Sequence, residues 1–184
     1  MTKKPSWAKS GQSNWEYHGQ KRPEFAIKPN TGQESVWDYP RPPKLVPDDR
    51  EILVIFANKI IAHTRNAIRI LETSNPPEFY IPPSDINVKY LKKTTGESRC
   101  EWKGESIYWD VIVDEEVAKR GAWSYPKPSP DYNKIKSYLS FYPSKMDCYV
   151  NGEHVKPQPG ENYRGWITKE IVGPVRGESD KTYL

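Results

Sequence analysis

The chain has 184 residues, which suffices for one domain with a substantial core. Eighteen prolines, seven tryptophans, twelve tyrosines and a mean hydropathy of -0.88 are typical of short strands joined by proline-containing turns. The net charge is +4, but residues 1–33 hold six Lys/Arg and two acids, so the remainder is neutral and nucleic acid is not an expected partner.

Membrane, metal and disulfide proteins are also disfavoured. The sequence has no apolar run of about 18 residues and no apolar secretion signal near its start, so we expect a soluble, cytoplasmic protein. Paired Cys-x-x-Cys ligands are absent from the sequence, and we therefore expect neither a metal nor a cofactor. Cys100 and Cys148 are predicted to be buried free thiols.

Residues 1–33 are predicted to form a basic N-terminal arm. The arm contains Trp15, Tyr17 and Phe25, and disordered segments have few aromatic residues. We therefore expect residues 15–27 to lie against the body as an extended strap. Residues 34–184 are predicted to form a single β-rich domain.

The first elements of that domain are short strands. Alternating apolar residues predict a hairpin over residues 52–62, with Asn58-Lys59 in its turn. Residues 64–73 suit either a short helix or a strand, and the Asn-Pro-Pro turn that follows favours a strand pair with residues 78–81. Residues 83–91 are predicted to form a short helix capped by Ser84.

Residues 100–113 read as a second hairpin. Gly104-Glu105 has the residue order of a two-residue type II′ turn, because Gly adopts φ > 0 without steric cost. That turn predicts an Arg99–Asp110 cross-strand pair and places Trp102 and Trp109 on one face of the hairpin. We expect this face to be core.

Three further features lie in the remaining sequence. A single helical turn is predicted over residues 114–120. The pattern Trp-x-Tyr-Pro-(Lys/Arg)-Pro occurs at both 37–42 and 123–128, and it indicates either two related halves or a chance similarity. Asn151-Gly152 predicts a type I′ hairpin turn, and residues 166–168 predict a short strand.

The acidic residues lack a diagnostic catalytic arrangement. Asp48-Asp49 and Asp114-Glu115-Glu116 are interpreted as solvated turn residues rather than as ligands for two metal ions. The sequence also contains no Gly-x-Ser-x-Gly elbow and no phosphate-binding glycine loop.

Six motifs nevertheless occur in a specific order. They are ESVWDYPRPP (34–43), LETSNPP (71–77), YIPP (80–83), CEWKG (100–104), YWDV (108–111) and GWIT (165–168). With these motifs the sequence resembles the bacterial domain-of-unknown-function 427 family over about residues 33–177. That family is also catalogued under a nucleotidyltransferase-like name, which the absence of paired carboxylates does not support.

The resemblance implies a fold of the β-tent type, similar to the thalidomide-binding domain of cereblon and to Yippee proteins. In that fold class, which is mainly β, two antiparallel sheets pack at an angle around a cleft, and we expect one or two short helices beside them. The relatives usually carry a zinc ion on two Cys-x-x-Cys pairs, which this sequence lacks.

The leading functional hypothesis is that the domain binds a small molecule in an aromatic-lined cleft. An enzyme of unknown reaction, with Glu72 or Glu101 as acid or base and Lys103 or Arg69 as electrostatic stabiliser, stays an alternative. A protein-interaction module is a second alternative. The sequence assigns no catalytic residue and no oligomeric state, and the candidate ligand-binding residues are Trp37, Tyr39, Arg69, Glu72, Trp102, Lys103, Tyr108 and Tyr142.

Overall fold

The computed structural model describes residues 16–160 and 163–178, and within these ranges the chain is mainly β, as predicted. The strands are β1 (Glu34–Ser35), β2 (Lys44–Asp48), β3 (Ile52–Phe56), β4 (Lys59–Thr64), β5 (Ala67–Glu72), β6 (Asn75–Tyr80), β7 (Leu91–Cys100), β8 (Gly104–Val113), β9 (Glu116–Pro128), β10 (Leu139–Phe141), β11 (Asp147–Val150), β12 (Glu153–His154), β13 (Lys156–Pro157), β14 (Trp166–Ile167) and β15 (Ile171–Val172).

These strands form three larger antiparallel sheets. Their strand orders are β10-β9-β8-β7, β12-β11-β3-β4 and β2-β5-β6. Two small pairs, β13-β14 and the parallel β1-β15, join distant parts of the chain. The class of antiparallel β sheets is therefore confirmed, with three sheets in place of the two that were expected.

The early hairpins agree with the prediction. β3 and β4 are joined through Ala57 and Asn58, whose φ angles of 46° and 58° place the turn one residue earlier than expected. The ambiguous segment 64–73 contains strand β5, which pairs with β6. Asn151 and Gly152 have φ angles of 47° and 77° between β11 and β12, as a type I′ turn requires.

The second hairpin exists with a different turn. Cys100 pairs with Gly104, so residues 101–103 form a three-residue turn and Gly104, at φ 101°, begins β8. This shift in register pairs Arg99 with Glu105 and not with Asp110. The predicted Arg99–Asp110 pair is wrong because Gly104 has its positive φ directly after a three-residue turn and not at the first position of a two-residue turn.

The predicted helices are not formed. Residues 83–91 contain two 3₁₀ turns, Pro83–Asp85 and Val88–Tyr90, because Ile86 between them bridges to Ala62 of β4. Residues 114–120 pass from a β-turn into β9, which pairs with β8. The other helical segments of the described ranges are the 3₁₀ turns Val36–Asp38 and Pro130–Ile135.

The two copies of the Trp-x-Tyr-Pro pattern are not structurally equivalent. Trp37 lies in a 3₁₀ turn, whereas Trp123 lies within strand β9. The hairpins that follow the two copies belong to one sheet, in which β3 pairs with β11. The Trp-x-Tyr-Pro segments themselves therefore do not form equivalent parts of two halves.

Residues 17–27 of the arm contact the segment around Trp37 and Gly173. The rings of Tyr17 and Phe25 meet Trp37 edge-on, with centroids 5.8 and 4.9 Å away. The backbone N–H of Ile27 donates to the carbonyl of Gly173 at 2.8 Å. Trp15, where the predicted strap begins, lies outside the described residues.

Asp48 differs from its interpretation as a solvated residue. It is 9% exposed at the end of β2, where Arg50 Nη2 lies 2.7 Å and Arg69 Nε 3.1 Å from its Oδ2. Burial favours the neutral acid, but hydrogen bonds from Arg50 and the charge of Arg69 outweigh this effect and lower the pKa of Asp48. No helix in the described ranges is long and apolar enough to cross a membrane.

Aromatic side chains concentrate in one of three buried clusters. This cluster, named the aromatic core here, packs against the cleft described below. Its members are Ile70, Tyr80, Trp102, Tyr108, Trp123, Tyr125, Tyr132, Ile135 and Tyr142.

Candidate functional site

A cleft of about 240 Å³ opens where β6, β7 and the turn at 101–103 meet the side chains of Gln158, Tyr163 and Arg164. Its walls carry four basic and two acidic side chains, so the lining has a net positive charge. The lining residues are Ile70, Glu72, Asn75, Pro76, Glu78, Ser98, Arg99, Cys100, Lys103, Tyr125, Gln158, Tyr163, Arg164 and Arg176.

A buried ion pair forms part of the cleft wall. Lys103, at the end of the three-residue turn, is 4% exposed, and its Nζ donates to Oε2 of Glu78 at 3.1 Å. Burial disfavours both charges, but their mutual attraction outweighs it, raising the pKa of Lys103 and lowering the pKa of Glu78. Both groups are therefore charged at neutral pH.

A chain of hydrogen bonds connects this pair to the aromatic core. The hydroxyl of Tyr80 donates to Glu78 Oε2 at 3.0 Å and accepts a bond from Trp123 Nε1 at 2.9 Å. Tyr80 and Trp123 are fully buried, and burial raises the pKa of Tyr80 well above its ordinary value. The neutral phenol thus anchors the Glu78 carboxylate to the aromatic core.

Arg164 also lines the cleft and packs against rings of the aromatic core. Its guanidinium carbon lies 4.9 Å from the ring centroid of Trp123, 5.8 Å from that of Tyr142 and 6.0 Å from that of Tyr108. Ring faces attract cations, and this attraction strengthens where water is excluded. Within residues 16–160 and 163–178, no carboxylate lies within ion-pair distance of Arg164.

Tyr108 connects Arg164 to the strands. Its hydroxyl shares a 2.7 Å hydrogen bond with Ser98 Oγ and accepts one from Arg164 Nη2 at 3.3 Å. Burial raises the pKa of Tyr108, but the Ser98 bond and the Arg164 charge outweigh burial and lower it. Tyr142 packs edge-on against Trp123, and burial raises its pKa to about 12.

Gln158 forms hydrogen bonds that fix the position of Gly165, the residue next to Arg164. Its Nε2 donates to Asn75 Oδ1 at 3.1 Å and to the carbonyl of Arg176 at 2.9 Å, while its Oε1 accepts from Gly165 N at 3.0 Å. A Cβ at Gly165 would lie 2.5 Å from that oxygen, so the close approach requires glycine. The wall is therefore built by contacts between distant segments.

Two of the eight candidate residues line the cleft. These are Lys103 and Glu72. The Glu72 carboxylate forms an ion pair with Arg41, whose Nε lies 3.3 Å from Glu72 Oε1. Tyr108 and Tyr142 are not lining residues, but their rings contact Arg164, which lines the cleft.

Trp102 lies in the aromatic core outside the lining and is 7% exposed. Among the described residues, its buried indole Nε1 has no hydrogen-bond partner. The interpretation of Trp102 as core is confirmed, but Trp109 packs against a different buried cluster, so the predicted common face of the two tryptophans is wrong.

The other three candidates lie outside the cleft lining. Trp37 is 1% exposed, and its Nε1 donates to the carbonyl of Pro174 at 2.9 Å. The Tyr39 hydroxyl donates to Glu34 at 2.7 Å, and Arg69 binds Glu34 and Asp48. These residues hold the segment before β2 against β5, and none of the three lines this cleft together with Lys103.

Sequence reasoning missed Glu78 and Arg164. Glu78 follows a Pro-Pro pair that predicts a turn, so its side chain is not expected to be buried. Arg164 directly precedes the GWIT motif, which contains no charged residue. The position of Arg164 next to a recognised motif was the available signal. Its ring contacts join residues more than 20 positions apart in sequence.

The acid–base hypothesis required Glu72 or Glu101 in the cleft with a strongly raised pKa. Burial and the charge of Glu72 raise the pKa of Glu101, but Glu101 lies in the turn outside the lining. Glu72 lines the cleft and is paired with Arg41. Glu101 therefore does not meet the requirement of a place in the cleft.

Comparison with curated proteins gives no significant match. A family model described as a domain of unknown function (DUF427) matches residues 44–152, which is more than half of the chain. The matched range runs from β2 to β11 and includes Glu78 and Lys103, whereas Arg164 follows it. The resemblance seen in the motifs is confirmed, and the chain belongs to the DUF427 family.

Proposed function

We propose that the cleft binds a small polar molecule. The observation that carries the proposal is the Lys103–Glu78 pair in its wall, with side chains 5% and 19% exposed. A buried ion pair contributes little net stability compared with an apolar replacement. Its position beside a cleft therefore supports a role in recognition.

The polar groups around the cleft are suited to hold a ligand in one orientation. Lys103, Glu78 and Arg164 bring charged donors and acceptors to a cleft that also borders the aromatic core. Ligand sites commonly combine an apolar wall with a few convergent polar groups. The volume of about 240 Å³ lies below the ~300–1,000 Å³ of drug-sized sites, which favours a molecule of metabolite size.

A thermal-shift screen tests the proposal. The panel contains nucleotides, nucleobases, cyclic amides, aromatic carboxylates and sugar phosphates. A ligand at about a hundred times its Kd stabilises the folded state by about 2.7 kcal/mol. For a chain of this size that corresponds to a rise in Tm of about 5–10 °C.

Alkylation of Cys100 localises any hit. Cys100 lines the cleft and is partly exposed, whereas Cys148 is fully buried. Treatment with N-ethylmaleimide should therefore fill the cleft and abolish the shift, while a Cys100→Ser variant should bind with or without the reagent. A shift that survives alkylation of Cys100, or a panel without any stabilising compound, would contradict the proposal.

A further inference from the structure

Arg164 has more hydrogen-bond donors than partners. A guanidinium carries several N–H groups in a planar fork, and the described residues accept one bond from it, at 3.3 Å to Tyr108. Its remaining nitrogen atoms are not among the buried atoms without partners, and the residue lines the cleft. These donors are therefore accessible to a molecule in the cleft.

The two carboxylates of the lining already have cationic partners. Glu78 Oε2 binds Lys103 at 3.1 Å, and Glu72 Oε1 lies 3.3 Å from Arg41 Nε. Neither carboxylate lies within 4 Å of an Arg164 nitrogen. Arg164 thus adds positive charge that no carboxylate of the described ranges neutralises at contact distance.

We propose, building on the binding function above, that the ligand carries an oxyanion, a carboxylate or a phosphate, which the guanidinium of Arg164 binds. The planar fork of Arg matches both groups in a bidentate manner. The rings of Trp123 and Tyr142 hold the fork from behind, so little side-chain freedom is lost on binding. Lys103 also lines this cleft, so a second positive charge is available to an anion.

The experiment compares charged and neutral probes of similar size. Benzoate and phenyl phosphate carry the two oxyanions, benzamide is the neutral analogue, and inorganic phosphate lacks the ring. Affinities are measured by titration calorimetry on the full chain. Binding of the charged probes with at least tenfold preference over benzamide is expected, and the ratio of benzoate to phenyl phosphate affinity tells which oxyanion the site prefers.

Three variants connect the preference to Arg164. A charge-assisted hydrogen bond is worth about 1.5–3 kcal/mol, so Arg164→Gln should weaken the favoured anion about 10- to 100-fold. Arg164→Lys keeps the positive charge but lacks the planar guanidinium, so it should lose less affinity for the anion than Arg164→Gln. This variant also provides a test of the proposal if Arg164→Gln does not fold. Arg65→Gln removes the same charge from a side chain that is 64% exposed outside the cleft and should bind like the wild type.

The outcomes separate this inference from the binding function. In one outcome, benzamide binds as tightly as benzoate and phenyl phosphate and loses its binding on alkylation of Cys100. That result would contradict the proposal that the ligand is an oxyanion and would leave the proposed binding site intact. Equal loss of anion affinity in Arg65→Gln and Arg164→Gln would also overturn the role of Arg164. Failure of every probe, together with an unresponsive thermal-shift panel, would overturn both.

Discussion

Removal of the Lys103 charge tests the buried ion pair most directly. In Lys103→Met the aliphatic stem stays in place and the ammonium is lost, so Glu78 keeps its buried position without its closest cation. At 3.1 Å the attraction of two unit charges is about 5 kcal/mol at an effective dielectric constant of about 20. Loss of one partner from a buried pair typically costs about 3–5 kcal/mol.

The lower end of that range is expected here. Glu78 retains the hydrogen bond from Tyr80 at 3.0 Å, and the charge of Arg164 also favours its ionised form. Both side chains of the pair are less than one third exposed, so solvent screening does not remove the effect. We therefore expect Lys103→Met to lower the free energy of unfolding at pH 7 by about 3 kcal/mol.

The effect should depend on pH. In the wild type the pKa of Glu78 is lowered on folding, so its contribution is present above the ordinary carboxyl pKa and is lost as the pH falls through the folded value. In Lys103→Met, burial without this partner should raise the pKa of Glu78. The penalty of the substitution should therefore shrink between about pH 6 and pH 4, where the carboxyl becomes neutral.

Urea denaturation followed by tryptophan fluorescence measures these changes. Glu78→Gln and the double variant Glu78→Gln/Lys103→Met complete a thermodynamic cycle, and the double variant should recover part of the stability because no buried charge is left alone. A Lys103→Met penalty below about 1 kcal/mol at pH 7, or one equal at pH 7 and pH 4, would refute the reasoning.

Three further predictions concern other parts of the chain. Asp48→Asn should lower the free energy of unfolding by about 3 kcal/mol at pH 7. Because the folded pKa of Asp48 is lowered, the variant should also lose less stability than the wild type on acidification below about pH 5, as measured by circular-dichroism titration. An unchanged slope of stability against pH would contradict this prediction. Under native conditions Cys100 should react with dithionitrobenzoate, and Cys148, whose pKa is raised by burial, should react only after unfolding; rapid labelling of both thiols would contradict this. Trp37→Ala should cost about 3–5 kcal/mol and expose residues 17–27 to proteolysis, and an equally resistant strap would show that Trp37 does not hold it.

Local patterns in the sequence were sufficient for much of the fold. The hairpin β11–β12 follows from Asn151-Gly152, since a type I′ turn needs two residues that tolerate positive φ. Alternating apolar residues identified β3 and β4, and the aromatic residues of the arm indicated a strap. Each of these signals depends on neighbours within a few positions of the chain.

The turn before β8 shows where local reasoning ended. A glycine at position 104 can begin a two-residue turn or directly follow a three-residue turn, and both turns keep the alternation of side chains along the strands. Pairing of Cys100 with Gly104 places Lys103 in the turn, where its side chain meets Glu78 from another sheet. The choice between the two registers depends on that contact and on burial, and neither is encoded in the spacing of residues 100–113.

The composition of the candidate site was decided mainly by the tertiary structure. Sequence reasoning supplied Lys103 and Glu72 as candidates, but Trp37, Tyr39 and Arg69 lie outside the cleft lining. Charged side chains are placed by partners that are distant in sequence: Glu78 precedes Lys103 by 25 positions, and Arg164 rests on rings of β9 and of residue 142. The sequence by itself determined a β-rich domain of the DUF427 family, and the packing of its sheets brought the charges together in one cleft.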